Sequence, residues 1–370
     1  MTTTKEQQVS DKPSQPGQPS ESSQPSQPSQ PSKQVEEVGN WWIKSVAAST
    51  KHESLDAARD FGENWEALTA EPGAVDYLEV DAGGVLSLWA VPKGCTEDRV
   101  ILCFHGGGFF SGSMYTHRKL YGHFAKAIGC RALIVHYRRS PEHAHPAQVN
   151  DGVAAYRWLL DQGIKASHIA LIGDSAGGDL SITTALLTRD SGLPMPAALI
   201  PISAWFDMEV IGESMNTNHG KDLLLNKEWV RSMAGMFLGE KGNPKDPYAN
   251  PLYADLTGLP PVYMHVGGDE VLLDDSRRLA DRARKFGVDV RLDIFPHMQH
   301  SFQMAAGRAP ESDASIAQLT NWLKPKLGLA QPKTQPHHYQ PNCLITTGPS
   351  KPDASNPPSG LGPNNTEVFR

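Results

Sequence analysis

Two short runs in this chain hold residue types that could work on one reaction. The first is Gly173-Asp174-Ser175-Ala176-Gly177, a serine with a glycine two places to either side. The second is His105-Gly106-Gly107-Gly108-Phe109. A serine hydroxyl is a poor nucleophile near neutral pH. It needs a histidine to take its proton, and the histidine needs a carboxylate to fix its tautomer. Glycines at 106–108 let backbone N–H groups approach a substrate with no side chain in the way, as a developing oxyanion requires. Ala176, at the start of a helix, offers a further N–H where the helix dipole favours negative charge. Each run follows an apolar stretch that reads as a strand, Val100-Ile101-Leu102-Cys103-Phe104 before one and Ile169-Ala170-Leu171-Ile172 before the other. Alone, Ser175 could be a helix cap and the glycines a turn. Together, each after a strand, they point to acyl transfer with Ser175 as nucleophile.

The strand–serine–helix run resembles the nucleophile turn of α/β-hydrolases, and that resemblance implies an acid and then a histidine downstream in chain order. The strand Val262-Tyr263-Met264-His265-Val266 runs into Gly267-Gly268-Asp269. That puts Asp269 at a strand's carboxyl end, where open α/β sheets carry their sites. Its rivals are Glu270, Asp274 and Asp275, of which the last two open a helix and read as caps. The next strand, Val290-Arg291-Leu292-Asp293-Ile294, is followed by a stretch holding His297 and His300. They lie one helical turn apart, and spacing does not separate them. His105 reads as a prop for its own loop and His265 as a structural residue of a buried strand. Phe109, Trp205 and Phe206 are the candidate substrate-pocket residues.

The elements that must position these residues alternate. Strand-like runs fall at 76–80, 86–91, 100–104, 132–136, 169–173, 198–202, 262–266 and 289–294, with helical patterns at about 147–162, 176–188, 275–286 and 312–324. Alternation of this kind means an α/β fold, a mostly parallel eight-stranded sheet with helices on both faces. The turn Asp81-Ala82-Gly83-Gly84 suggests an antiparallel hairpin at one edge. Residues 41–70 and the long excursion 204–258 break the rhythm and are expected to form a helical cap over the sheet's carboxyl edge.

Composition shifts at both ends of the 370 residues. Residues 1–38 read as a disordered tail rich in Pro, Ser and Gln, and residues 331–370 as a second tail carrying 8 of the 29 prolines. The catalytic domain is expected over 39–330. The net charge of −7 comes with no block of Lys or Arg, which leaves no electrostatic footprint for nucleic acid. No apolar run of membrane-spanning length and no secretory h-region is visible, and the reading is a cytoplasmic protein. Cys95, Cys103, Cys130 and Cys343 have no C-x-x-C spacing and read as reduced thiols, with no metal site and no cofactor.

His105-Gly-Gly-Gly-Phe109, Tyr137-Arg138-Arg139-Ser140-Pro141-Glu142, Gly173-Asp-Ser-Ala-Gly-Gly178, Asp269-Glu-Val-Leu-Leu-Asp-Asp275 and His300-Ser-Phe302 together resemble the hormone-sensitive-lipase family of α/β-hydrolases. The resemblance covers about 75–330 and is nearest to bacterial acetyl hydrolases and monoterpene ε-lactone hydrolases. It implies an α/β-hydrolase fold, a triad of Ser175, Asp269 and His300, and oxyanion donors Gly107, Gly108 and Ala176. It favours His300 over His297. The family usually has Leu-Ala where this chain has Arg139-Ser140. The implied activity is that of a serine carboxylesterase for short to medium acyl esters, with lactone hydrolysis as the alternative. The expected partner is a small ester or lactone, and the chain would be a monomer or homodimer. A binding-only receptor on this fold would have lost the histidine, whereas the His300 motif is present.

Overall fold

The computed structural model describes residues 1, 30–49 and 54–330. The two expected tails fall largely outside the described residues, as does Cys343. The strands are β1 (Val75–Asp81), β2 (Leu86–Pro92), β3 (Thr96–Phe104), β4 (Cys130–Val135), β5 (Ile169–Asp174), β6 (Ala198–Ile202), β7 (Val262–Gly267) and β8 (Val290–Phe295). They form one eight-stranded sheet in the order β1-β2-β4-β3-β5-β6-β7-β8. The pairs β1–β2 and β2–β4 are antiparallel, and every other pair is parallel. The hairpin between β1 and β2 turns on Gly83 and Gly84, both at positive φ, with the Gly84 N–H donating to the Asp81 carboxylate.

The helices are α1 (Lys33–Ser49), α2 (Leu55–Gly62), α3 (Arg118–Ile128), α4 (Ala147–Asp161), α5 (Ala176–Asp190), α6 (Ser214–Thr217), α7 (Lys227–Leu238), α8 (Leu273–Lys285) and α9 (Pro310–Lys326). They cover both faces, which is why the central strands are apolar on every residue rather than on alternate ones. In β3, Val100, Leu102 and Phe104 pack into a core shared with α4, α5 and α8. The intervening Ile101 and Cys103 pack into a second core shared with α1, α3 and α9.

Helix α3 was not among the expected elements, although Leu120, Tyr121, Phe124 and Ile128 give it an apolar stripe and Gly129 ends it at φ 83°. The boundary at residue 38 is also corrected. Helix α1 starts at Lys33, and Val35 and Val38 are buried with Trp42 on one stripe. Composition placed Val35 and Val38 with the polar tail, because the stripe they begin is completed only beyond residue 40. Ser32 fixes the start, its N–H and hydroxyl donating to Glu311 at 2.6 and 2.7 Å in the first turn of α9.

Candidate functional site

Four loops leave the same edge of the parallel strands. After β5 the chain turns through Ser175 straight into α5. Ser175 sits at φ 54°, ψ −122°, a conformation a non-glycine residue holds only when its surroundings enforce it. They do so here: the Ser175 N–H donates to Ile202 O at 2.9 Å, and Ser175 O accepts from the Trp205 N–H at 3.1 Å. The flanking glycines are required by space. A Cβ on Gly173 would lie 2.0 Å from Gly177 O, and one on Gly177 would lie 2.0 Å from Phe104 O.

After β3 comes the glycine loop. Gly107 and Gly108 have φ of +119° and +59°, and a Cβ on Gly107 would lie 2.2 Å from Ser111 O. The Gly106 N–H is held by Asp174 Oδ1 at 3.0 Å. Among the described residues, the N–H groups of Gly107, Gly108 and Ala176 have no protein acceptor. His105 is fully buried, stacks on Tyr137 with ring centroids 4.2 Å apart and bonds Gly106 O at 2.8 Å. Burial, reinforced by the neighbouring His117, pushes its pKa well below the usual histidine range. A neutral ring packed in this way props the loop.

Asp174 ties this loop to others. Its carboxylate accepts from the Gly106 N–H, from the Tyr121 hydroxyl at 3.0 Å and from the Ser301 hydroxyl at 3.2 Å, with His117 Nε2 at 3.3 Å. Burial alone would raise its pKa, but His117, the Tyr121 hydroxyl and the nearby His300 hold it below the usual value.

The loops after β7 and β8 bring a carboxylate to a histidine, and here one expected residue is replaced. Glu270, not Asp269, meets His300: His300 Nδ1 donates to Glu270 Oε2 at 2.9 Å. The other Glu270 oxygen accepts from the Ser203 hydroxyl at 2.7 Å and from the Gly267 N–H. Glu270 is fully buried, whereas Asp269 is only half-buried and its carboxylate has no partner among the described residues. The difference is one of phase in a tight turn. Gly267 and Gly268 carry the chain past the strand end, and the residue that folds back beneath β8's loop comes one place later than the strand end suggests. His300 is buried, while His297 is exposed on the same loop. Burial works against the charged imidazole, but Glu270 outweighs it, and the His300 pKa lies above the usual histidine value. His265, in β7, bonds Ser315 of α9 at 2.8 Å, and burial pushes it down to about 3.

Ser175, His300 and Gly106–Gly108 share the wall of one cavity of about 380 Å³. Most of the remaining wall is apolar and comes from both cap segments: Trp42, Phe61 and Trp65 from the first, Leu224, Trp229 and Met233 from the second, with Phe110 beside them. A serine and a histidine in one apolar cavity, with a buried carboxylate behind the histidine and free N–H groups beside the serine, can move a proton off the hydroxyl and hold a negative oxygen.

Comparison with known proteins fits this arrangement. A family model described as the alpha/beta hydrolase fold matches residues 101–304. An acetyl-hydrolase of Streptomyces hygroscopicus is 36% identical over 78% of this chain and 94% of its own length. An esterase of Acinetobacter venetianus is 34% identical over 60% and 74%. The crystal structure of an esterase from the bacterial hormone-sensitive lipase family is 42% identical, covers 80% of this chain and 99% of that one, and superposes with a TM-score of 0.78. The chain belongs to the hormone-sensitive-lipase family of α/β-hydrolases.

Within this hormone-sensitive-lipase fold the expected pocket residues Phe109, Trp205 and Phe206 are displaced from the cavity. All three are fully buried behind it. Phe109 stacks on Phe237 with centroids 3.8 Å apart, Trp205 packs against Phe109, and the Phe206 N–H donates to Asp275. Nearness in sequence to a catalytic run does not say which way a side chain faces. Phe110, one residue on, does line the cavity, and so do the aromatic residues of the cap. Trp42, Trp229 and Met233 were legible as parts of cap helices, but their inward face follows only from where those helices dock.

Proposed function

We propose that this carboxylic ester hydrolase acts through a Ser175–His300–Glu270 triad on small esters with an apolar acyl or alcohol group. In this reading His300 Nε2 takes the proton from the Ser175 hydroxyl as its oxygen attacks the ester carbonyl. The Gly107, Gly108 and Ala176 N–H groups stabilise the oxyanion. The alcohol leaves with the proton returned by His300, and the acyl group stays on Ser175. Water, activated by the same histidine, then releases the acid. Glu270 holds the histidine tautomer with Nδ1–H toward itself. The observation that carries this reading is the buried 2.9 Å bond between Glu270 and His300 at the wall of the cavity that also holds Ser175.

The family supports the same chemistry. A solved relative, EstE5, soaked with p-nitrophenyl butyrate, is 36% identical with a TM-score of 0.75 over 80% of this chain and 99% of its own. Among the described residues no helix is long and apolar enough to cross a membrane. Cys95, Cys103 and Cys130 are free, in keeping with a reducing, cytoplasmic setting. The test is hydrolysis of p-nitrophenyl esters by the wild type and Ser175→Ala, together with labelling by a fluorophosphonate. Turnover is expected to fall to background in Ser175→Ala, and the label to sit on Ser175. Substantial turnover by a folded Ser175→Ala would overturn the assignment.

A further inference from the structure

The triad does not explain what holds His300 in place. Its loop contains two non-glycine residues at positive φ, His297 at 61° and Ser301 at 49°, a conformation that such residues keep only under external constraint. Both cap segments supply that constraint. From the first, the Trp42 indole N–H donates to the carbonyl oxygen of His300 itself at 3.0 Å, in a buried position. From the second, the neighbouring side chain Gln299 is held at both ends. Its oxygen accepts from the Leu223 N–H at 2.9 Å, and its amide donates to Lys221 O at 3.0 Å.

The same stretch of cap also grips the loop of the acid. Asn218 Nδ2 donates to Gly268 O at 3.0 Å and to Glu270 O at 2.8 Å. Asp222 accepts from the Val271 N–H at 2.9 Å with one oxygen, and from the Leu224 and Leu225 N–H groups at 3.0 and 2.8 Å with the other. Glu270 and His300 hang from two different strands. Residues 218–225 are bonded to both of their loops, and Trp42 closes the third side.

We propose that the cap is a positioning device for the triad as well as the wall of the pocket, with Gln299 and Trp42 as positioning residues that hold His300 in register with Glu270 and Ser175. The proposal rests on the Ser175–His300–Glu270 reading above. Gln299 does not line the cavity, so its effect must pass through the backbone of His300. Rate is sensitive to such placement, since a shift of about 1 Å in a catalytic group can cost about 100-fold.

Two variants test it in the full chain. Gln299→Ala removes the tie to 221–223, and Trp42→Phe keeps the ring but deletes the N–H. For each, kcat and KM are measured with a p-nitrophenyl ester, the limiting rate of Ser175 labelling with a saturating fluorophosphonate, and the melting temperature. Gln299→Ala should lose roughly tenfold in kcat and in limiting labelling rate together, with KM changed by less than about twofold. Trp42→Phe should slow labelling in the same direction, and it decides the matter should Gln299→Ala not fold. The clamp is overturned if the wild type labels and turns over normally while the folded variants keep both rates within about twofold. Absence of any label on Ser175 in the active wild type would instead bring down the triad reading beneath it.

Discussion

At the scale of single residues, the site depends on which of two adjacent carboxylates faces His300. Asp269 and Glu270 differ by one place and one methylene, but only Glu270 is buried against the imidazole. Glu270→Gln should therefore lower kcat by about 10³- to 10⁴-fold, since the amide no longer fixes the productive tautomer. Asp269→Asn should change kcat by less than about twofold, because its carboxylate is half-buried and without a partner among the described residues. Steady-state kinetics of the two variants side by side check the ranking, and the reverse order would return the role to Asp269. The pH profile carries the same information. His300 must be unprotonated to take the serine proton, and its pKa lies above the ordinary 6.5 because Glu270 favours the imidazolium more than burial opposes it. Activity in the wild type is thus lost as pH falls through a value above 6.5, which sets the acid limb of kcat/KM. In Glu270→Gln burial acts with less opposition, and that limb should move to lower pH. A limb that stays fixed would mean that another group sets it.

At the scale of elements, the strands were the most legible feature and the turns the least. Runs such as Val100–Phe104 and Ile169–Ile172 are apolar on every residue, and only a strand covered on both faces needs that. Ser175 and the glycines of its turn were legible because the elbow excludes side chains at Gly173 and Gly177 by contact with backbone. The carboxylate that meets His300 comes one residue later than Asp269 because the phase of the turn after β7 depends on the loop of β8, which follows a whole helix later in the chain. The start of α1 and all of α3 were missed because both stripes gain their partners only on docking. Docking also produced a buried arginine that composition gave no reason to expect. Arg59 of α2 donates to Phe110 O at 2.7 Å, to Ser140 O at 2.8 Å and to both oxygens of Glu142 at 2.6 Å, which ties the cap to the glycine loop and to the Tyr137–Glu142 segment. The Arg59 hydrogen bonds hold the Glu142 carboxyl at about 2, against an ordinary 4.5. A carboxylate whose folded pKa is lowered stabilises the fold above its ordinary value, and that contribution is lost as pH falls from about 4.5 to about 2. Glu142 is half-exposed, so solvent screening keeps the effect to about 1 kcal/mol or less. The melting temperatures of wild type and Glu142→Gln should differ at neutral pH and converge across that acid window. A gap that does not depend on pH would show that packing, not charge, is what Glu142 supplies.

At the scale of the molecule, the cap joins two segments far apart in the chain over one edge of the sheet. Trp42, Phe61 and Trp65 and Leu224, Trp229 and Met233 line one cavity of about 380 Å³ whose wall also holds Ser175. A bounded, largely apolar space of this size makes a different demand on substrates from a long open groove. While the space is filling, each added methylene offers at most ~0.8 kcal/mol, or about fourfold in kcat/KM. Once it is full, a longer chain must protrude into water or push the cap aside. Pushing the cap also disturbs the bonds that residues 218–225 and Trp42 make to the loops of Glu270 and His300. Overlong substrates should therefore lose kcat as well as affinity. A series of p-nitrophenyl esters should show kcat/KM rising and then falling, with the optimum among short to medium acyl chains of about two to eight carbons. The decline beyond the optimum should appear in kcat. Widening the wall with Trp229→Ala should move the optimum to longer chains. A wild-type profile that keeps rising through long acyl chains, or one that Trp229→Ala leaves in place, would show that the cavity does not set the substrate range.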